Sequence, residues 1–295
     1  MKDILGLSDL LIFNTIASSG SVNDACTQLK ISYHTARKAM EELERKIDTK
    51  LYQLGKGQIF TLTPAGTLLY NLTKHDIEKL NFAKEAFIDE LNGMKGRLKV
   101  ATTTTFGSWW LPRRLDSFYK MYSLPLDIIA TDEKVDLLTQ AHASVGFEPH
   151  SHPDIINREV LTYKLKIYGT KKYIDTYGEP KSLEELKHHK VIVYGENLRA
   201  PTPKVNWIIK DPKGNNLFEP MATLNNAIGI IETVKSGIAI ATAAEYIAKD
   251  FPELIPLRIA AEYPSVSIFF SYHKLLENSV KIKAFSDFIW KELNK

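Results

Sequence analysis

Between Ser32 and Lys38 the chain gathers hydroxyl, phenol, imidazole, guanidinium and ammonium groups into one short run: Ser32, Tyr33, His34, Thr35, Arg37 and Lys38. Projected from the leading turns of a helix, the first five of these could reach base edges in a DNA major groove. The forked guanidinium of Arg37 suits the two acceptors on a guanine edge. Lys38, and Lys56 further along, are point charges better suited to phosphate oxygens, which fix register without reading sequence. A second polar run, Thr102, Thr103, Thr104 and Thr105, follows an apolar stretch and precedes a helical pattern. Hydroxyls and helix-start amides at such a place could receive a polar or anionic small molecule. Thr131, Phe147, Tyr194 and Asn225, the last beside Asn226, stand at the ends of other predicted elements and would face the same cleft. Capping of the next helix, or packing in the core, is the alternative use of each.

These groups need elements to hold them. Leu7, Leu10, Phe13 and Ala17 recur at steps of three and four, which puts them on one face of a helix over 7–18. Gly20 breaks it, and Ser21 caps a second helix whose inner face is Val22, Ala25, Cys26 and Leu29. Ser32 caps a third, with Ala36, Met40, Leu43 and Ile47 inward and His34, Arg37, Lys38, Glu41 and Arg45 outward. Two short helices joined by a tight turn make a helix-turn-helix. The same periodicity also suits three helices that only pack together. Leu51 to Leu54 and Gln58 to Leu62 are strand-like around Gly55-Lys56-Gly57, a plausible wing. Thr63 and Pro64 open a helix to about residue 92, striped by Leu69, Leu72, Leu80, Ala83, Phe87 and Leu91, with Asp76 interrupting. A lone exposed helix cannot hide that stripe, so pairing with a second copy is expected. Past Gly93 and Gly96 the pattern changes. Strands are expected at 98–101, 126–131, 143–147, 165–168, 191–194, 238–242 and 265–272, and helices at 109–121, 135–141, 181–188, 225–236 and 279–293. Alternating elements of this kind predict a mostly parallel α/β sheet.

Composition sets the outer limits. A chain of 295 residues, 44% hydrophobic and 25% charged, is long enough for two or three globular units. Its net charge of +3 decides nothing about nucleic acid, and in residues 1–63 eight cations face seven anions. Cys26 is the only cysteine, so no intrachain disulfide framework exists, and no Cys or His spacing suggests a metal site. A reducing cytoplasm suits this composition, and neither a signal peptide nor a membrane span is apparent. An enzyme or free solute-binding protein would want a nucleophile motif, a phosphate loop or an export signal, none of which is present. An adaptor that binds only protein through the helix-turn-helix is a third reading.

Phe13, Ala17, Gly20-Ser21, Ala25, Leu29, Ser32, Leu43-Glu44, Leu51-Tyr52 and Leu62-Thr63-Pro64-Ala65-Gly66 together resemble the N-terminal signature of the LysR-type transcriptional regulators. The resemblance implies three segments. A winged helix-turn-helix over 1–63 would bind double-stranded DNA, with its recognition helix at 32–46 and its wing at 51–62. A linker helix over 64–93 would dimerise, with four chains in the usual assembly. A two-subdomain α/β effector domain over 94–295 would resemble periplasmic solute-binding proteins and take an unidentified small molecule, with no catalytic role, cofactor or metal. Three residues depart from the family's habit: Arg37 stands where serine is usual, His34 where proline or a small residue is common, and Leu54 where arginine is common. The segment from Ser144 to Pro149 also lacks an aspartate common near that strand start.

Overall fold

A computed structural model describes residues 5–54, 60–195, 202–211 and 213–295, and Lys56 lies outside them. The chain divides into two compact units, Met1–Phe87 and Ile88–Lys295.

In the first unit each helix boundary follows from its local chemistry. Helix α1 (Leu7–Ser19) ends at Gly20 with φ +67°, a left-handed conformation that costs glycine nothing. Ser21 accepts from the Asp24 N–H to start α2 (Val22–Leu29), and Ser32 accepts from the Thr35 N–H to start α3 (Tyr33–Ile47). The three helices close on Ile12, Phe13, Ile16, Ala25, Met40 and Leu43. Complete burial of a side chain the size of Phe13 or Leu43 contributes about 2–3 kcal/mol. The inner face of α1 is turned from the expected one: Ile12 and Ile16 are buried with Phe13, while Leu7 is 55% exposed. Strands β1 (Tyr52–Leu54) and β2 (Phe60–Leu62) pair antiparallel, and the rings of Tyr52 and Phe60 stack at 5.2 Å. Helix α4 (Pro64–Leu91) then leaves the wing. Asn14 donates from α1 to the Thr73 hydroxyl of α4 at 2.9 Å, so the start of α4 is held to α1.

Glu44 locks α3 to the wing. Its side chain is 5% exposed, and its two oxygens accept from the Leu51 N–H at 2.8 Å and the Lys50 ammonium at 2.6 Å. A buried backbone donor without a partner is costly, so Glu44→Ala should lower the unfolding free energy of this unit by about 3 kcal/mol. Glu44→Gln, which keeps an acceptor for Leu51, should lose less. Urea unfolding of both variants checks this, and equal losses would rule out the bond to Leu51 as the cause.

The second unit is built on a seven-stranded sheet, mixed rather than mostly parallel. Strand β3 (Leu98–Thr102) lies between β4 (Leu126–Ala130) and β5 (Ala143–Gly146), parallel to both. Strand β6 (Ile155–Gly169) makes the sheet mixed. It runs fifteen residues where only 165–168 was expected, because its first half mixes Asn157, Arg158 and Glu159 with buried Ile155, Val160 and Tyr163. It pairs antiparallel with β11 (Ser265–His273), which in turn pairs antiparallel with β5. Its far end pairs antiparallel with β9 (Ala241–Ala244) and β10 (Ile255–Pro256), so one strand serves two halves of the unit. The second half adds the parallel pair β7 (Ile192–Tyr194) and β8 (Ala222–Leu224).

Helices α5 (Leu115–Tyr122), α6 (Lys171–Tyr177), α7 (Ala227–Lys235), α8 (Glu245–Ala248) and α9 (Val280–Leu293) cover the sheets. Three expected helices differ, that at 181–188 being a short 3-10 helix over Glu184–His188. Residues 135–141 form turns, because the Asp136 carboxylate accepts from the Leu138 N–H and competes with the helical ladder. Residues 106–114 form a single π-helical turn and a 3-10 turn before α5. The Leu111 N–H reaches back to the Phe106 carbonyl at 2.8 Å, and Pro112 supplies no N–H to continue. Trp109 stacks on Phe251 and Trp110 on Phe106, so both indoles are packed into the core.

Candidate functional site

The outer face of α3 follows from its inner one. Since Ala36, Met40 and Leu43 face the core, Tyr33, His34, Thr35, Arg37 and Lys38 are exposed, and so is the cap Ser32. Two of the six are engaged within the helix start: the hydroxyls of Ser32 and Thr35 lie 2.9 Å apart, besides the capping bond. Arg37 donates from Nε to Glu41 at 2.8 Å, which raises its pKa further. Lys38 has no hydrogen bond or ion pair among the described residues. Further along, Arg45 pairs with Glu42 at 2.5 Å. The presented surface is a mixture of neutral donors and acceptors with two cations, Arg37 loosely held and Lys38 without a hydrogen bond among the described residues, as suits direct readout of bases.

In the second unit the loops after β3, β4 and β5 enclose a cavity of about 170 Å³, lined by Thr102, Thr103, Thr131, Asp132, Lys134, Ser144, Phe147, Glu148 and His150 among others. A smaller cavity of about 50 Å³ shares Thr103, Asp132 and Phe147 with it and continues to Tyr163, Tyr194, Thr242 and Tyr246 of the second half. Of the seven residues expected there, Thr102, Thr103, Thr131 and Phe147 line the larger cavity, and Thr103, Phe147 and Tyr194 line the smaller. Thr104 and Asn225 lie outside both linings. The Thr104 N–H donates to Asp132 Oδ1 at 2.9 Å, and Asn225 is exposed beside Asn226, whose Oδ1 caps α7 by accepting from the Gly229 N–H.

Thr103 combines a helix-start contact with a place in the cavity walls. Thr103 Oγ1 receives the Phe106 N–H at 3.4 Å as a helix-start acceptor, yet the residue lines both cavities. Tyr194 is held at its backbone by Asn206, which accepts from the Tyr194 N–H and donates to its carbonyl. Its phenol meets the side chain of Thr105 and the backbone of Ala227, bridging the two halves of the unit, and burial pushes its pKa up. At the floor of the larger cavity Ser144 Oγ lies 3.0 Å from His150 Nε2. Asn157 holds the His150 main chain from both sides and accepts from the Ser271 hydroxyl. Burial and the nearby Lys134 lower the His150 pKa, which favours the neutral imidazole.

The model of the bacterial regulatory helix-turn-helix proteins of the lysR family matches residues 7–67, and that of the LysR substrate binding domain matches residues 91–294. The chain belongs to the LysR family of transcriptional regulators. A transcriptional regulator of the helix-turn-helix type from Xanthomonas campestris is 25% identical over 98% of this chain and 86% of its own length. Among solved structures, a full-length single-site variant of OxyR from Pseudomonas aeruginosa superposes with a TM-score of 0.67 at 16% identity, covering 96% of this chain and 94% of that one. Full-length CbnR, solved with its target DNA, gives 0.58 at 19% identity over 98% and 99%. This LysR-type regulator is not an enzyme, and proteins of its family bind DNA and small-molecule effectors.

Three residues that shape the regulator's cleft were not singled out from the sequence: Asp132, Tyr163 and Tyr246. Asp132 directly follows the expected Thr131, and the turn after β4 was the available signal. The tyrosines carried none, since β6 was expected to begin only at Leu165 and α8 was not expected at all. Among the described residues no helix is long and apolar enough to cross a membrane, and no group of three or more His, Cys, Asp or Glu residues could hold a metal ion.

Proposed function

We propose that the regulator reads its operator with the leading turns of α3, through Ser32, Tyr33, His34, Thr35 and Arg37, while Lys38 and Lys56 meet phosphates. Residues 1–63 act as the DNA-binding segment, 64–93 as the linker and 94–295 as the effector domain, in the cytoplasm. Two copies pair along the stripe of α4, where Leu72, Leu80, Phe87 and Leu91 are 45–72% exposed while Leu69 packs on the core of the first unit, and pairs assemble into a tetramer. The effector sits in the cleft that Thr102, Thr103, Thr131, Phe147 and Tyr194 line, with Thr104 and Asn225 at its margin. The exposed polar face of α3, opposite a fully buried apolar one, carries this reading. Mapping of bound sites across the genome tests it: enriched sites should lie near the regulator's target genes, and the absence of any enriched site under every growth condition would refute it.

The ion pair of Arg37 makes a sharper prediction. An exposed i,i+4 pair contributes little, so Glu41 gives way readily to a guanine edge. Arg37→Ala should weaken operator binding about tenfold or more and relax sequence preference at one position, while Lys38→Ala should weaken it less and uniformly. Glu41→Ala, which frees Arg37 and removes a negative charge from the interface, should strengthen binding. Gel-shift titrations over a salt series measure all three, and equal losses for Arg37→Ala and Lys38→Ala would refute the role given to Arg37.

A further inference from the structure

The smaller cavity is walled by four aromatic side chains, Phe147, Tyr163, Tyr194 and Tyr246, with Asp132 and Thr103 on the part it shares with the larger cavity. The rings of Tyr163 and Tyr246 meet edge to face at 4.9 Å, and those of Phe147 and Tyr163 at 6.3 Å. Tyr246 is 4% exposed, and its hydroxyl has no hydrogen-bond partner among the described residues. A buried hydroxyl left in that state is destabilising, and the Tyr246 ring is what this residue presents to the cavity.

The charge balance of the walls selects the ligand. Burial pushes the phenols of Tyr163, Tyr194 and Tyr246 up, so all three are neutral and Asp132 is the charged residue of the smaller lining. In the larger cavity Glu133 and Glu148 join Asp132 against Lys134. The Thr104 N–H, the helix-start amide that an anion would seek, is already bonded to the Asp132 carboxylate at 2.9 Å. An incoming carboxylate would therefore meet a carboxylate where it needs a donor. A cation would meet Asp132 and aromatic faces whose quadrupoles attract positive charge.

We propose that the cleft recognises its effector through a protonated amine, seated against Asp132 and the rings of Phe147, Tyr163, Tyr194 and Tyr246, with the rest of the molecule extending into the larger cavity. This rests on the reading of the cleft as the effector site. Propylammonium, propionate and 1-propanol, three probes of one size and three charges, separate the two claims when each is titrated calorimetrically into the full-length protein. Propylammonium should bind in the millimolar range, 1-propanol at least several-fold more weakly, and propionate not at all. Asp132→Asn, whose amide oxygen can still accept from the Thr104 N–H, should weaken propylammonium about tenfold or more with an unchanged melting temperature. Tyr246→Ala, which removes a ring from the wall, should weaken it severalfold, and Tyr246→Phe, which keeps the ring, should not. Propylammonium binding that survives Asp132→Asn unchanged would overturn the proposal. Tighter binding of propionate, lost in the cleft-filling variant Thr103→Trp, would overturn the amine and leave the cleft as the effector site. Failure of all three probes to bind would overturn both.

Discussion

Replacing Gly66 by alanine should destabilise the DNA-binding unit by at least about 3 kcal/mol and remove operator binding at physiological temperature. A Cβ at Gly66 would lie 1.9 Å from the Leu51 carbonyl oxygen and 2.9 Å from its carbon. Leu51 cannot retreat, because its N–H is bonded to Glu44 and its carbonyl accepts from the Thr63 N–H at 3.0 Å. The segment Leu62-Thr63-Pro64-Ala65-Gly66 is thereby explained in physical terms. Thr63 donates to the Lys50 carbonyl and accepts from the Gly66 N–H, Pro64 opens α4, and Gly66 lets the helix pass against the chain entering the wing. The sign of the effect is the test. Alanine is the better helix former by about 1 kcal/mol, so a relaxed contact would make Gly66→Ala stabilising. Thermal unfolding followed by circular dichroism, with the exposed Thr67→Ala as a control, distinguishes the two outcomes.

How much of this was legible in the sequence depended on whether the deciding interaction was local. Ser21 and Ser32 are recognisable as caps because an N-cap needs only its own next three residues, and the structure gives both that role. The polar face of α3 is legible for the same reason, since its periodicity contains the information. The pairing of Arg37 with Glu41 was equally local and could have been read from their spacing of four. The long strand β6 was not legible, because its Asn157-Arg158-Glu159 stretch looks unsuited to a strand until β11 arrives from more than a hundred residues away. The cleft lies between these cases. Thr102, Thr103 and Thr131 sit at strand ends and could be placed by topology, whereas Tyr163 and Tyr246 reach the cavity only through the pairing of β6 with β9 and the short turn of α8. Asp132 was not legible either, because its bond to the Thr104 amide depends on β3 and β4 running parallel.

Gly107 makes a comparable prediction for the effector unit. An added Cβ there would lie 2.1 Å from Thr102 Oγ1, 2.9 Å from the Ala130 Cβ and 3.2 Å from Ile128 Cγ2. The first of these neighbours belongs to a β-branched side chain in a fully paired central strand, 3% exposed, and the other two to the adjacent strand β4. None is the free end of a flexible chain, so Gly107→Ala should lower the stability of this unit by about 2–4 kcal/mol and reshape the turn that carries Thr103 into both cavities. Thr102 Oγ1 has no hydrogen-bond partner among the described residues and lies where a Cβ on Gly107 would fall. Thr102→Ala removes that unmet hydroxyl along with a small amount of packing, so alone it should change stability by less than about 1 kcal/mol. The two substitutions should then be strongly non-additive. Thr102→Ala relieves the closest contact made by the new methyl group and leaves the one with Ala130, so the double variant should regain about half of the loss. Because the chain divides into two compact units, the relevant quantity is the transition assigned to Ile88–Lys295, identified by its loss of tryptophan signal from Trp109 and Trp110. Additive losses in that transition would mean that the π-helical turn moves away from β3 when Gly107 is replaced, and that the close approach of Gly107 to Thr102 does not hold the cleft in shape.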